Sequence, residues 1–251
     1  DWSSDVCSSD LTECNSLDTS LGFIMEIAWA LYDSESKRLI KCHSNLIKWK
    51  RPYTVDEMAF EVTGLSKDFC EKNGEVPFNL RELLIDLKDA DVICGHNISA
   101  FDLPMLITNL ERIPGVQELD LETKIVIDTY LDLPIKKTNQ IMSLKYLALD
   151  HGYVMNKSHQ AIDDVFACAH LLFSYDLDEV LIIAKSPMTT ISIKPDWNDT
   201  LLRERLSQLR FRWNPSMKVW EKKTKEYFKK EIEARLQGQP LVDEKEDYLP
   251  F

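Results

Sequence analysis

Apolar positions change period several times along the chain, and each change marks an element. The run FIMEIAWALY, Phe23 to Tyr32, is apolar and rich in strand formers; a polar turn at Asp33–Ser36 and a looser alternation from Arg38 to Trp49 follow, so the pair predicts a hairpin. Thr54 followed by Glu57 has the spacing of a capping box opening a short helix. Leu80, Leu83, Leu84 and Leu87 repeat at helical spacing within 79–87, and 91–95 reads as a short buried strand. Ser99 is expected to open the next helix, with Asp102 three residues on and Pro104 in the first turn. A strand over 124–128 precedes a helix starting at Ser143 with Leu144, Leu147 and Leu149. Beyond Gly152 a loop leads to His159, and Ala161, Val165, Ala169 and Leu172 line one face of the helix behind it. Strands alternating with helices predict an α/β layer fold, part parallel and part antiparallel hairpin.

Pro187 marks a boundary. After it come a strand over 189–193, a helix over 199–209, a β-turn at Asn214-Pro215 between aromatic residues, and an amphipathic helix over 225–236. The division expected is 1–11 as a foreign segment, 12–184 as the main domain, 187–236 as a small basic α+β module, and 237–251 as an acidic tail without fixed structure. The first eleven residues, DWSSDVCSSDL, are polar, rich in Ser and Asp, and without alternation over most of their length. They read as an adapter-like scar, to be set aside in fold reasoning, with the natural sequence beginning near Thr12.

Composition sharpens this picture. With 251 residues, 44% of them hydrophobic, the chain can bury a sizeable core. No apolar run reaches the roughly 18 residues of a membrane span. Six cysteines without a CxxC pair argue against a disulfide scaffold or zinc ribbon and read as free, cytoplasmic thiols. His96 beside Cys94 lacks the further ligands a soft-metal site needs. Net charge is −12, yet residues 185–235 hold 13 Lys/Arg against 7 Asp/Glu, which leaves the body strongly acidic. Such a chain can bind cations in one part and phosphates in the other.

Four segments carry candidate chemistry: Thr12-Glu13 before the hairpin, His96 to Asp102 after a strand, Asp128-Thr129 at a strand end, and His159 to Asp164 running into a helix. Strand ends meeting helix starts are where α/β sheets place their sites. Each residue also has an ordinary explanation, because acids in a first helical turn complement the dipole. Order and spacing single them out. Thr12-Glu13 followed by Ile24-Met25-Glu26-Ile27-Ala28, then HNISAFD ending at Asp102, then His159, Ala161 and Asp164, resembles the DEDDh proofreading-type 3′→5′ exonuclease family over about residues 12–175. Phe60 to Leu65 looks like that family's linker before its central helix, and Asp128-Thr129 like its strand ending.

The resemblance implies an RNase-H-like mixed sheet flanked by helices. It implies two Mg²⁺ or Mn²⁺ ions held by Glu13, Asp102 and Asp164, with His159 as general base. Leu17, Asn97 and Phe101 become candidates for holding the terminal nucleotide; their ordinary reading is packing for the two apolar residues and a loop hydrogen bond for Asn97. The partners implied are single-stranded DNA or RNA 3′ ends, DNA ahead of RNA, with a polymerase or another replication or repair protein as a further partner, and no membrane. The products implied are nucleoside 5′-monophosphates. One departure stands out: the family's first aspartate aligns with Leu11, and Asp10 is one residue out of register, which in a strand faces the other way. This chain is therefore expected to be impaired, and the rival reading is a non-catalytic nucleic-acid-binding or scaffold protein on the same fold. Phe211 to Trp220 resembles a small module sometimes fused to such enzymes; its tryptophans are expected to anchor a small core, with Arg212, Lys218, Lys222 and Lys223 as an electrostatic aid to nucleic-acid binding.

Overall fold

The structure, a computed structural model, describes residues 12–77, 80–116, 120–135, 142–155, 160–194 and 198–238, and the backbone of 5–8. They fall into two compact units that meet in sequence between Ala184 and Lys185.

In the first unit the sheet comprises β1 (Asp5–Ser8), β2 (Thr12–Cys14), β3 (Ile24–Asp33), β4 (Arg38–Leu46), β5 (Val92–Gly95) and β6 (Ile125–Asp128). One edge of β3 is taken by β4, from Glu26↔Leu46 to Asp33↔Arg38. Its other edge pairs with β1 at Asp5↔Asp33 through Ser8↔Ala30, and with β2 at Thr12↔Ile27 and Glu13↔Glu26. A strand has only two edges, so β1 and β2 lie end to end as one interrupted strand. β1 also pairs in parallel with β5, and β5 with β6. Within the segment set aside as foreign, the backbone of Asp5–Ser8 fills a central position in the sheet. Composition reads side chains, whereas an interior sheet position is filled by backbone N–H and C=O groups that any non-proline sequence supplies.

The helices are α1 (Glu57–Thr63), α2 (Lys67–Asn73), α3 (Leu80–Asp89), α4 (Asp102–Leu110), α5 (Leu144–Asp150), α6 (Ala161–Phe173) and α7 (Leu177–Lys185). Several boundaries differ from the sequence expectation. Asp56, not Thr54, occupies the N-cap of α1 and makes no side-chain cap bond, so the capping box does not form. Phe60 to Thr63 is helical rather than a linker, and Gly64 ends the helix in the left-handed region at φ 68°. Ser99 does not open α4, whose N-cap position is Phe101. Past the end of β4 at Leu46, Ile47 still donates its N–H to Met25 of β3, while the Lys48 N–H and the Leu46 carbonyl bond to Glu75.

Two cores sandwich β3. One face packs Met25, Ile27 and Trp29 against Leu80, Leu83 and Leu87 of α3 and Met105 and Leu106 of α4. Within it the Trp29 indole donates to Asp86 at 2.7 Å, and Lys41 reaches the same carboxylate at 2.7 Å. The other face packs Ala28, Ala30 and Tyr32 against Ala161, Val165 and Ala169 of α6. Small residues on both sides let α6 lie close to the strand, which matters for the acids at its N-terminus.

The second unit is a three-stranded sheet, ordered β7 (Met188–Ile193), β9 (Val219–Lys225), β8 (Arg212–Asn214), with α8 (Thr200–Gln208) and α9 (Glu226–Leu236). Its core is Ile191, Leu206, Leu209, Phe211, Ile232 and Leu236, with Trp220 packed against it and Trp213 leaning on Trp220 at 5.7 Å between centroids. Of the two tryptophans expected to anchor this core, Trp220 packs against it and Trp213 reaches it only through Trp220. Asn214 makes the predicted turn, its side-chain oxygen accepting from the N–H groups of Ser216 and Met217. Lys222 departs from expectation: it pairs with Ile191 and its ammonium donates inward to Leu209 at 2.9 Å. Strand alternation puts Arg212 and Lys223 on the opposite, exposed face.

Among the described residues no helix is long and apolar enough to cross a membrane.

Candidate active site

Glu13 sits in β2 directly opposite Glu26 of β3, so both carboxylates project from the same face. Glu26 continues the row of Ala28, Ala30 and Tyr32, which is the face covered by α6. Its Oε2 accepts the N–H of Ala161 at 3.5 Å, at the start of α6. Asp164, one turn further on, lies beside the same pair.

Burial pushes the Glu13 carboxyl up to about 8, and the charges of Asp164, Glu26 and Asp102 push in the same direction. Asp164 is pushed up to about 7 by burial, with Asp163 and Glu26 adding to it. Glu26 is raised by burial as well.

Asp102 is the first residue of α4 and is almost wholly buried. Thr12 donates its hydroxyl to Asp102 Oδ1 at 2.8 Å. Burial raises the Asp102 carboxyl, the Thr12 bond opposes the shift, and Asp128 adds to it. Thr12 and Glu13 are neighbours in a strand and project to opposite faces. The acids therefore approach β2 from two sides: Glu26 and Asp164 from that of α6, Asp102 from that of α4. Among the described residues no three His, Cys, Asp or Glu side chains meet where they could jointly hold a metal ion.

The donor set nevertheless fits hard divalent cations. Its members are buried carboxylates whose charges raise one another's pKa values. Mg²⁺ is commonly held by one or two carboxylates together with water and substrate oxygens rather than by an all-protein cage. Glu13 with Asp164, and Asp102 across β2, are the residues that would supply such partial ligation.

His159 and position 11 lie outside the described residues. Leu17 is 72% exposed, on a loop that also presents Leu21 at 69%, so neither belongs to the core. Arg112 holds that loop from beneath, donating to the carbonyls of Ser20, Leu21 and Gly22 while stacking over Phe23 at 4.1 Å. Asn97 is exposed, and Phe101 is half-buried against the α4-side core. His96 is committed elsewhere: its Nε2–H donates to the Met142 carbonyl at 2.8 Å, and Nδ1 accepts from Thr129 at 3.0 Å. Burial lowers its pKa to about 4, so the ring is neutral support for the loop. Cys94 faces Cys168 at 3.8 Å.

Residues 12–172 match the family described as exonuclease (RNase T). The chain belongs to this exonuclease family. Among solved structures, this exonuclease-family chain resembles E. coli exonuclease I in complex with a dA16 oligonucleotide, at 16% identity and a TM-score of 0.58 over 76% of this chain and 48% of that one. The complex of the E. coli enzyme with a dT13 oligonucleotide gives 16% and 0.57 over 76% and 48%. Its zinc-bound single-stranded DNA complex gives 20% and 0.58 over 70% and 42%. The likeness is one of fold, the RNase-H-like mixed α/β architecture expected from the sequence. The chain spans less than half the length of these structures. No curated protein matches it significantly in sequence.

Two acids in this neighbourhood, both within segments quoted from the sequence, received no role there. Glu26 interrupts an apolar run on the face next to α6, a signal available from strand alternation. Asp128 ends β6, and its partners are backbone amides that no side-chain pattern reveals.

Proposed function

We propose that this chain is a metal-dependent 3′→5′ exonuclease that hydrolyses phosphodiesters of single-stranded nucleic acid, DNA ahead of RNA, to nucleoside 5′-monophosphates. The observation that carries the reading is the group of buried carboxylates with raised pKa values, placed inside an exonuclease-family domain. In this reading Glu13, Asp102 and Asp164 hold Mg²⁺ or Mn²⁺. The bound ions would supply an activated water and charge stabilisation for the leaving oxygen. His159 takes the proton of the attacking water, a task suited to an imidazole near neutral pH. Leu17, Asn97 and Phe101 lie on the two loops beside the acids and hold the terminal nucleotide. The oligonucleotide complexes of E. coli exonuclease I support single strands as the substrate class.

Leu11 stands where the family has its first aspartate, and the alternative, a nucleic-acid-binding protein without catalysis, draws on that substitution. The test is Mg²⁺- or Mn²⁺-dependent shortening of 5′-labelled single strands, DNA and RNA, by this chain and by its Leu11→Asp variant. The reading expects a weak ladder of products from the first and at least a tenfold faster one from the second, the smallest gain that would mark a restored ligand. No shortening by either, with retained binding of the strand, favours the non-catalytic alternative. Equal robust shortening by both removes the role given to position 11.

A further inference from the structure

Asp128 ends β6 and is 1% exposed, and it is not among the proposed ligands. Its carboxylate accepts three backbone N–H groups: Oδ1 from Asn97 at 2.8 Å and from Tyr130 at 3.1 Å, and Oδ2 from Ser99 at 3.4 Å. Two of these donors lie in the turn that joins β5 to Asp102. That turn has Asn97 in the left-handed region, at φ 57°, which asparagine tolerates better than most residues. It closes on itself through the N–H groups of Ala100 and Phe101, both directed at the Asn97 carbonyl, and then enters α4. Asp128 is itself held, because its N–H donates to Asp132 Oδ2 at 2.8 Å.

The neighbouring strands do not depend on this carboxylate. β5 and β6 pair through backbone from Val92↔Ile125 to Gly95↔Asp128. Removing the side chain therefore frees the turn while leaving the ladder that carries it. A carboxylate suits the position because it only accepts hydrogen bonds, whereas an amide would turn an NH₂ group toward one of the three N–H groups.

We infer that Asp128 is a positioning residue: by gripping the Asn97 and Ser99 amides it fixes the 96–101 turn and thereby the place of the Asp102 carboxylate relative to Glu13. The inference rests on the nuclease reading for its consequence, since Asp102 is one of the proposed ligands. Thr12 supplies the second hold on Asp102, from the strand side.

The experiment compares the full chain with Asp128→Ala and Asp128→Asn. Amide exchange is followed in peptides spanning 92–95 and 96–101, and Mn²⁺ binding is titrated by electron paramagnetic resonance without substrate. In Asp128→Ala, exchange over 96–101 should rise about tenfold or more while 92–95 stays within about twofold, and Mn²⁺ should bind about 10–100-fold more weakly. Asp128→Asn, which keeps one acceptor oxygen, should fall between and carries both readouts if the alanine variant does not fold. For shortening of a single strand, kcat should drop with KM little changed. Unchanged exchange over 96–101 overturns the inference, and so does a loosened turn with unchanged Mn²⁺ affinity. If the parent chain binds no Mn²⁺, the nuclease reading fails instead, and the exchange arm still decides whether Asp128 holds the turn.

Discussion

Replacing Glu13 with glutamine tests the electrostatics of the site without substrate. The Glu13 carboxyl stands at about 8 in the folded chain against an ordinary 4.5. At 1.36 kcal/mol per pKa unit, holding it ionised in the native state costs roughly 5 kcal/mol at most. Relaxation and water entry reduce this, and about 2–3 kcal/mol is the working figure. The folded state binds this proton more tightly than the unfolded one, so the native chain holds more protons between pH 4.5 and 8. Stability is therefore present at the acidic end of this window and is lost as pH rises through it. Glu13→Gln keeps the shape and removes the charge. In EDTA its thermal midpoint should match that of the parent chain at pH 5, within about 1–2 °C, and exceed it by about 5–10 °C at pH 9. A difference that is the same at both pH values, or a lower midpoint for the glutamine variant at pH 9, would refute the claim that repulsion and burial load this carboxylate.

Further outcomes follow from other parts of the structure. A Cβ at Gly22 would lie 2.6 Å from Met105 Cε and 2.8 Å from the Asp18 carbonyl, so Gly22→Ala should cost about 1–3 kcal/mol in urea unfolding and disturb the loop bearing Leu17. Asp86→Ala strands the buried Trp29 indole N–H and should lower stability by about 2–3 kcal/mol, with a shifted tryptophan emission spectrum as a second readout. If the exposed face of the second unit assists strand binding, Arg212→Ala combined with Lys223→Ala should lower the slope of log affinity against log salt by about 1–2, and an unchanged slope would exclude that face.

Much of the first unit could be read from hydrophobic periodicity. The apolar β3, the leucines of α3 and the small-residue face of α6 are patterns that packing requires, and the elements form where those patterns lie. What escaped has a common cause. β1 enters the sheet through its backbone, so its Ser/Asp composition carried no warning. Ser99 has the type of a helix N-cap, but its N–H is taken by Asp128 from another strand, and α4 starts three residues later. Lys222 counted as surface charge until alternation placed it beside Ile191. Among the acids, motif order singled out Glu13, Asp102 and Asp164. Glu26 became visible only through its cross-strand register with Glu13. The split of the acids between two faces of β2 likewise depends on register and on the Thr12 hydrogen bond, which a one-dimensional pattern does not contain.

The central proposal is that Glu13 and Asp164, with Asp102 across β2, supply the carboxylates that bind divalent cations. Its most direct test is an Mn²⁺ titration of the intact chain, without nucleic acid, beside the variant carrying Glu13→Gln, Asp102→Asn and Asp164→Asn together. Saturable binding by the parent chain that is lost in the folded triple variant is the predicted result. Binding of equal affinity in both, or none in either at millimolar Mn²⁺, would contradict it.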